Sequence, residues 1–295
     1  MNPGRCELLR ALGAVADSPA DARTAGRALG LPDLDGHQHA DAFIMNCPPY
    51  ASVYLGPDGA LGGEGADRVA GFWRAIGVTP PAEPDHLTAL LSLYASLGQA
   101  AGDSRRAATQ SALARSRDAL LWEHLWPWLP AYLDAVSGLD VPALTAWARL
   151  TSLAVAAEIG AHPAAGPGPA RLPLALRAAP AMPEATAGLG SLVGALMTPV
   201  RSGIILTRHR LAEGAGGAGV GYRIGERRFA LRAMLEQDPA ATLGWLSREC
   251  QRWALQHAGR PAAGAIGRWW AGRAVSTGQL LTDLGASIQP GMLPG

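Results

Sequence analysis

The stretch VAGFWRAIGVTPPAEPDHLTALLSLYASLG, residues 69–98, decides the fold class. Its apolar positions run Val69, Phe72, Trp73 and Ile76, then Leu87, Leu90, Leu91, Tyr94 and Leu97. Both sets follow the i, i+3, i+4, i+7 spacing that puts side chains on one face of a helix. Between them, Pro80, Pro81 and Pro84 remove backbone donors and interrupt the pattern. The segment therefore predicts two amphipathic helices joined by a proline-rich break.

Outward from this pair the same spacing recurs. It appears at Leu121, Leu125 and Trp128; at Leu144, Trp147, Thr151 and Ala154; and at Leu189, Leu192, Val193 and Leu196. Toward the C-terminus come Leu243, Leu246 and Cys250, then Ile266, Trp269, Trp270, Arg273, Thr277, Leu280 and Leu284. Asp238-Pro239 opens the first of these with a capping carboxylate and a proline suited to the first helical position. Alternating apolar and polar residues are scarce, and only Ser52–Leu55 and Gly203–Leu206 read as short extended pieces. The prediction is an all-α bundle. Six prolines between 161 and 183 mark a Pro/Gly/Ala-rich linker or loop. They divide the chain into a helical domain over 1–160 and a helical region over 184–295.

Composition narrows the function. Of 295 residues 48% are hydrophobic and 17% charged, so the surface is thinly charged and suited to a protein partner. A net charge of +1 gives no overall field for nucleic acid or an anionic membrane. All of the basic count is arginine, whose planar fork recognises carboxylates and phosphates. Cys6, Cys47 and Cys250 form no CxxC pair, which fits a reducing compartment. Glu7 and Arg10 interrupt any signal-peptide core, and the most apolar run, Leu189–Leu206, contains Pro199 and Arg201. A cytoplasmic protein without stable membrane insertion is expected.

Roughly residues 40–160 carry a resemblance. In order they present Pro49-Tyr50-Ala51-Ser52-Val53-Tyr54, the pair Phe72-Trp73 before Gly77, and Glu83-Pro84-Asp85-His86 opening a leucine-rich helix. Then comes Glu123-His124-Leu125-Trp126-Pro127-Trp128-Leu129-Pro130. This order resembles the TorD/DmsD/NarJ family of chaperones, which mature molybdenum-containing redox enzymes. The resemblance implies a TorD-like helical bundle with extra C-terminal helices, no catalysis and no permanently bound cofactor. It implies as partner the catalytic subunit of a molybdopterin oxidoreductase, or its twin-arginine signal peptide. Contact with a molybdopterin dinucleotide would be transient and through the client. Monomer and homodimer by helix exchange both stay open.

On that resemblance Tyr50, Ser52, Tyr54, Trp73, Glu83, Pro84, Asp85, His86, His124 and Trp128 would line the client groove. Core packing is an equal reading for Tyr54 and Trp73. From the residues alone, Asp85 stands where a helix N-cap belongs, and His86 in the first turn offers one donor and one acceptor. His86 would also make binding pH-sensitive near neutrality. The family carries an acidic residue where this chain has Ala51 and a glutamate where it has Leu90, so this groove is less acidic.

The region 199–236 is rich in arginine, and Arg201, Arg208, Arg227 and Arg228 are candidate anion or client contacts. Pairing with Glu213, Glu226 and Glu236 is the plainer reading. Leu206–Leu235 also scans as a helix-turn-helix, giving a nucleic-acid-binding regulator as the alternative. Gly214–Gly219 spells G-x-G-x-x-G without the strand that a dinucleotide site needs. His37 and His39 would meet a metal only on extended backbone.

Overall fold

The computed structural model describes residues 2–160 and 172–288. Among them it contains helices and no β-strand, so the chain is all-α. It divides into two compact units, Met1–Gly56 with Ala60–Ala178, and Pro57–Gly59 with Ala179–Gly295. Of the stretch read as a linker, residues 161–171 lie outside the described residues, while Leu174–Arg177 form a short helix.

The first unit contains α1 (Pro3–Ala14), α2 (Pro19–Ala28), α3 (Gly36–Ala40), α4 (Ala51–Leu55), α5 (Gly63–Ala75) and α6 (Leu87–Asp103). It continues with α7 (Ala107–Ala119), α8 (Leu129–Ser137), α9 (Pro142–Ile159) and α10 (Leu174–Arg177). Helix α6 is its axis because Leu87, Leu90, Leu91, Tyr94 and Leu97 are all buried. Helix α1 lies along it at close range: the Thr88 hydroxyl donates to the Gly13 carbonyl at 2.9 Å, and a β-carbon at Gly13 would sit 3.1 Å from Thr88 Cα. A connected set of rings fills the interior. Tyr54 stacks on Trp128 at 5.3 Å and 7°, Tyr132 touches both, and Trp147 joins Tyr132 to Phe43. The indole of Trp147 donates to Leu12 O at 2.8 Å, so the buried polar atom is satisfied.

The second unit contains α11 (Leu189–Leu196), α12 (Pro199–Ser202), α13 (Arg208–Ala218), α14 (Arg227–Gln237), α15 (Pro239–Ala258) and α16 (Gly264–Ile288). Helices α15 and α16 pair along their length, helped by the Ser247 hydroxyl donating to Gly278 O at 2.9 Å. Asp238 caps α15 through Ala241 N at 2.9 Å with Pro239 in the first turn, as its sequence predicts. Gly203 holds φ 76°, and a β-carbon there would fall 2.3 Å from Ala274 N, so only glycine lets α12 approach α16.

One expectation changes. Ser52–Leu55 is helical, and Gly203–Leu206 forms no strand, with Gly203 in the left-handed conformation that ends α12. Gly214–Gly219 lies in and at the end of α13, where Gly214 faces the Trp245 ring instead of forming a phosphate loop. His37 and His39 sit on α3, whose rise separates them around the axis, and only His39 is buried. No cluster of three or more His, Cys, Asp or Glu able to hold a metal occurs among the described residues. Among the same residues no helix is long and apolar enough to cross a membrane.

Candidate functional site

The segments around Tyr50 and Asp85 come from different parts of the sequence, and backbone hydrogen bonds lock them together. Ala51 N donates to Asp85 O at 3.0 Å and Leu87 N to Pro49 O at 2.8 Å, an antiparallel bridge pairing Tyr50 with His86. The Asp85 carboxylate then accepts the N–H of Ser52 at 2.9 Å. That N–H belongs to the first turn of α4, one of the donors a helix leaves unsatisfied.

Asp85 thus caps a helix, but not the one it precedes. The N-cap of α6 is His86, whose Nδ1 accepts from Thr88 N at 3.3 Å. The bridge to Pro49–Ala51 turns Asp85 inward toward α4, leaving the next residue to serve α6. Trp73 fixes the same loop from the other side, its Nε1 donating to Pro84 O at 3.1 Å. Asp85→Asn keeps the shape but removes the charge from a buried hydrogen bond. It should lower stability in urea by about 1–2 kcal/mol with an unchanged m-value; no loss would show that the charge at this clamp does not matter.

Surrounding groups give the loop its character. Tyr50 lies edge-on to His86 with ring centroids 4.7 Å apart. Burial, aided by hydrogen bonding to Glu83, pushes the Tyr50 phenol up to about 12, so it stays a neutral donor. Burial also lowers the His86 pKa, opposed by the carboxylates of Asp17, Glu83 and Asp85. Its titration therefore falls below the ordinary value of 6.5 and not at neutrality. With Nδ1 accepting from Thr88, the neutral ring carries its proton on Nε2. Asp17 Oδ1 stands 3.9 Å from Nδ1, close enough for an ion pair when the ring is charged. Asp17 and Glu83 are exposed, while Asp85 is buried beneath them.

Asp17 escaped the reading of the sequence. It stands in Asp17-Ser18-Pro19 beside the cap of α2, and only the turn after α1 brings it to His86. The remaining candidates are interior. Ser52 is fully buried, its hydroxyl accepting from Gly62 N at 3.2 Å. Tyr54 and Trp128 belong to the ring core, and Trp128 Nε1 donates to His124 O at 2.8 Å. His124 is buried against Phe72, and desolvation takes its pKa down to about 4. Pro84 and Trp73 are buried as well.

The arginines separate in the same way. Arg201 and Arg228 line one pocket, whereas Arg227 donates to Leu206 O at 2.9 Å and Arg208 opens α13 outside that lining. Other guanidiniums form structural pairs: Arg210 and Arg252 hold the buried Glu249 at 2.7 and 2.5 Å, and Arg232 pairs with Glu236. Helices α13 and α14 are separated by residues 219–226, longer than the roughly three- or four-residue turn of a helix-turn-helix.

Residues 9–134 match the model of the nitrate reductase delta subunit family. The match runs from within α1 to within α8 and contains both clamped segments. No curated protein matches the chain.

Proposed function

We propose, from the match of residues 9–134 to the nitrate reductase delta subunit family, that this chain is a molybdoenzyme maturation chaperone and that it binds an arginine-bearing N-terminal segment of a molybdopterin oxidoreductase catalytic subunit. Binding would hold the subunit open in the cytoplasm until its cofactor is loaded, so any contact with the molybdopterin comes through the client. The chemistry is recognition, with no bond made or broken by this chain.

The observation that carries this reading is the group of carboxylates around His86. Asp17 and Glu83, exposed and from two separate segments, lie near the half-buried Tyr50 phenol and the buried, neutral His86 ring. Exposed carboxylates beside an aromatic edge suit a guanidinium, which can form hydrogen bonds and stack at once. Asp85, Trp73 and Pro84 position this edge from beneath. Ile44, 66% exposed just before Pro48, adds apolar surface on the same segment for the nonpolar part of a client.

The test is affinity capture from native cytoplasm with mass spectrometry, comparing wild type with Asp17→Lys/Glu83→Lys. Wild type should recover a molybdopterin oxidoreductase subunit, and the variant at least about tenfold less, as expected for reversing charges that face a cation. Equal recovery would move the site elsewhere on the chain. Recovery by neither protein would remove the proposed function.

A further inference from the structure

In the second unit the loop Pro57–Gly59 and helices α11, α12 and α14 frame a polar pocket of about 460 Å³. Its lining includes Asp58, Ser191, Thr198, Arg201 and Arg228. The two guanidiniums are anchored by backbone and not by acids. Arg201 Nε donates to Pro57 O at 3.0 Å, and Arg228 Nη2 to Asp58 O at 3.3 Å. Neither forms an ion pair among the described residues, whereas Arg210, Arg232 and Arg252 all do.

This pocket is built rather than incidental. Gly59 takes φ 61°, and a β-carbon there would lie 3.0 Å from Thr198 Cα, so the loop rests directly against the start of α12. Thr198 is buried, its hydroxyl committed to Gly194 O at 2.9 Å. Arg228 sits in the first turn of α14, whose N-cap Glu226 makes no side-chain cap. Each anchored guanidinium retains N–H donors, because it carries five and is seen to use one here.

We propose that this pocket binds a phosphate group between Arg201 and Arg228, with the Ser191 hydroxyl as a further donor. Two guanidiniums against the single Asp58 carboxylate leave the site cationic, and fork-shaped donors match phosphate oxygens. The chemistry is shared by free phosphate, a diphosphate and a nucleotide. This site lies outside the family-matched residues 9–134 except for its 57–59 loop, and it stands or falls independently of client binding.

The experiment is calorimetric titration of the full chain with inorganic phosphate, pyrophosphate and a nucleoside diphosphate at low ionic strength. Saturable phosphate binding should weaken at least tenfold in Arg201→Ala/Arg228→Ala at unchanged far-ultraviolet circular dichroism. Asp58→Asn, which removes the opposing charge and leaves both arginines, should tighten it several-fold. Absence of saturation, or equal affinity in wild type and the arginine variant, overturns the site. Should the arginine variant fail to fold, Asp58→Asn decides, and unchanged affinity in it overturns the proposal. Tighter binding of the nucleoside diphosphate than of pyrophosphate identifies a nucleotide as the source, and equal binding a diphosphate alone; both support the site.

Discussion

Trp128→Ala should cost the first unit about 3–5 kcal/mol, the range for removing a large buried aromatic side chain. Trp128 is fully buried, stacks on Tyr54 at 5.3 Å, touches Tyr132 at 5.2 Å and donates its indole N–H to His124 O at 2.8 Å. Alanine leaves a void among rings that cannot collapse, because Tyr132 is held between Trp128 and Trp147. It also orphans the His124 carbonyl in a turn wound more widely than an α-helix, Leu120–Leu125. Against a typical total stability of about 5–15 kcal/mol this is a large fraction. Urea unfolding measures it. Client affinity of the variant, measured cold where it stays folded, should change less than about twofold; a larger loss at intact helicity would put Trp128 in contact with the client.

Acidification from pH 7.5 to 4.5 should remove several kcal/mol of stability, on the order of 3 kcal/mol from each of two histidines. Burial depresses His124 and His257 to about 4 from an ordinary value of 6.5, and lowers His39 and His86 in the same direction. Each of these rings is neutral in the folded chain at pH 7. Below pH 6.5 the unfolded chain takes up protons that the folded chain refuses, so stability present above that pH is lost as pH falls toward 4. His257 lies between Trp253 and Trp270 with Nε2 3.0 Å from Gly203 O, and His124 lies against Phe72, so both units should weaken. Glu249 acts lower. Desolvation works against its charge, but the hydrogen bonds and charges of Arg252 and Arg210 prevail and hold its carboxyl below the usual 4.5. Urea midpoints across this range check the prediction, and a flat profile between pH 7.5 and 5 would contradict it.

Some of the molecule is written in local order. The helical spacing at Leu87–Leu97 and at Leu243–Cys250 is a one-dimensional pattern, and the burial of those residues follows from it. The N-terminal helices were less legible. In α2 the buried face consists of Ala22, Ala25 and Gly26, too small to stand out by hydropathy. In α1, Leu9 and Leu12 mark the face only once α6 lies against it.

The family order of Tyr50, Trp73, Asp85 and Trp128 can likewise be read without coordinates, because each motif is contiguous. What each residue does was not readable. Asp85 reaches Ser52, 33 positions away, and Arg201 and Arg228 meet one pocket across 27 positions. Sequence by itself determined an all-α chain, the order of its family-like motifs and where its most strongly periodic helices run, since helix periodicity and motif order are local properties. Only the tertiary structure decided which aromatics are core, that Asp17 joins His86, and which arginines share a pocket. Those outcomes depend on distances between residues far apart in the chain, and no local spacing encodes them.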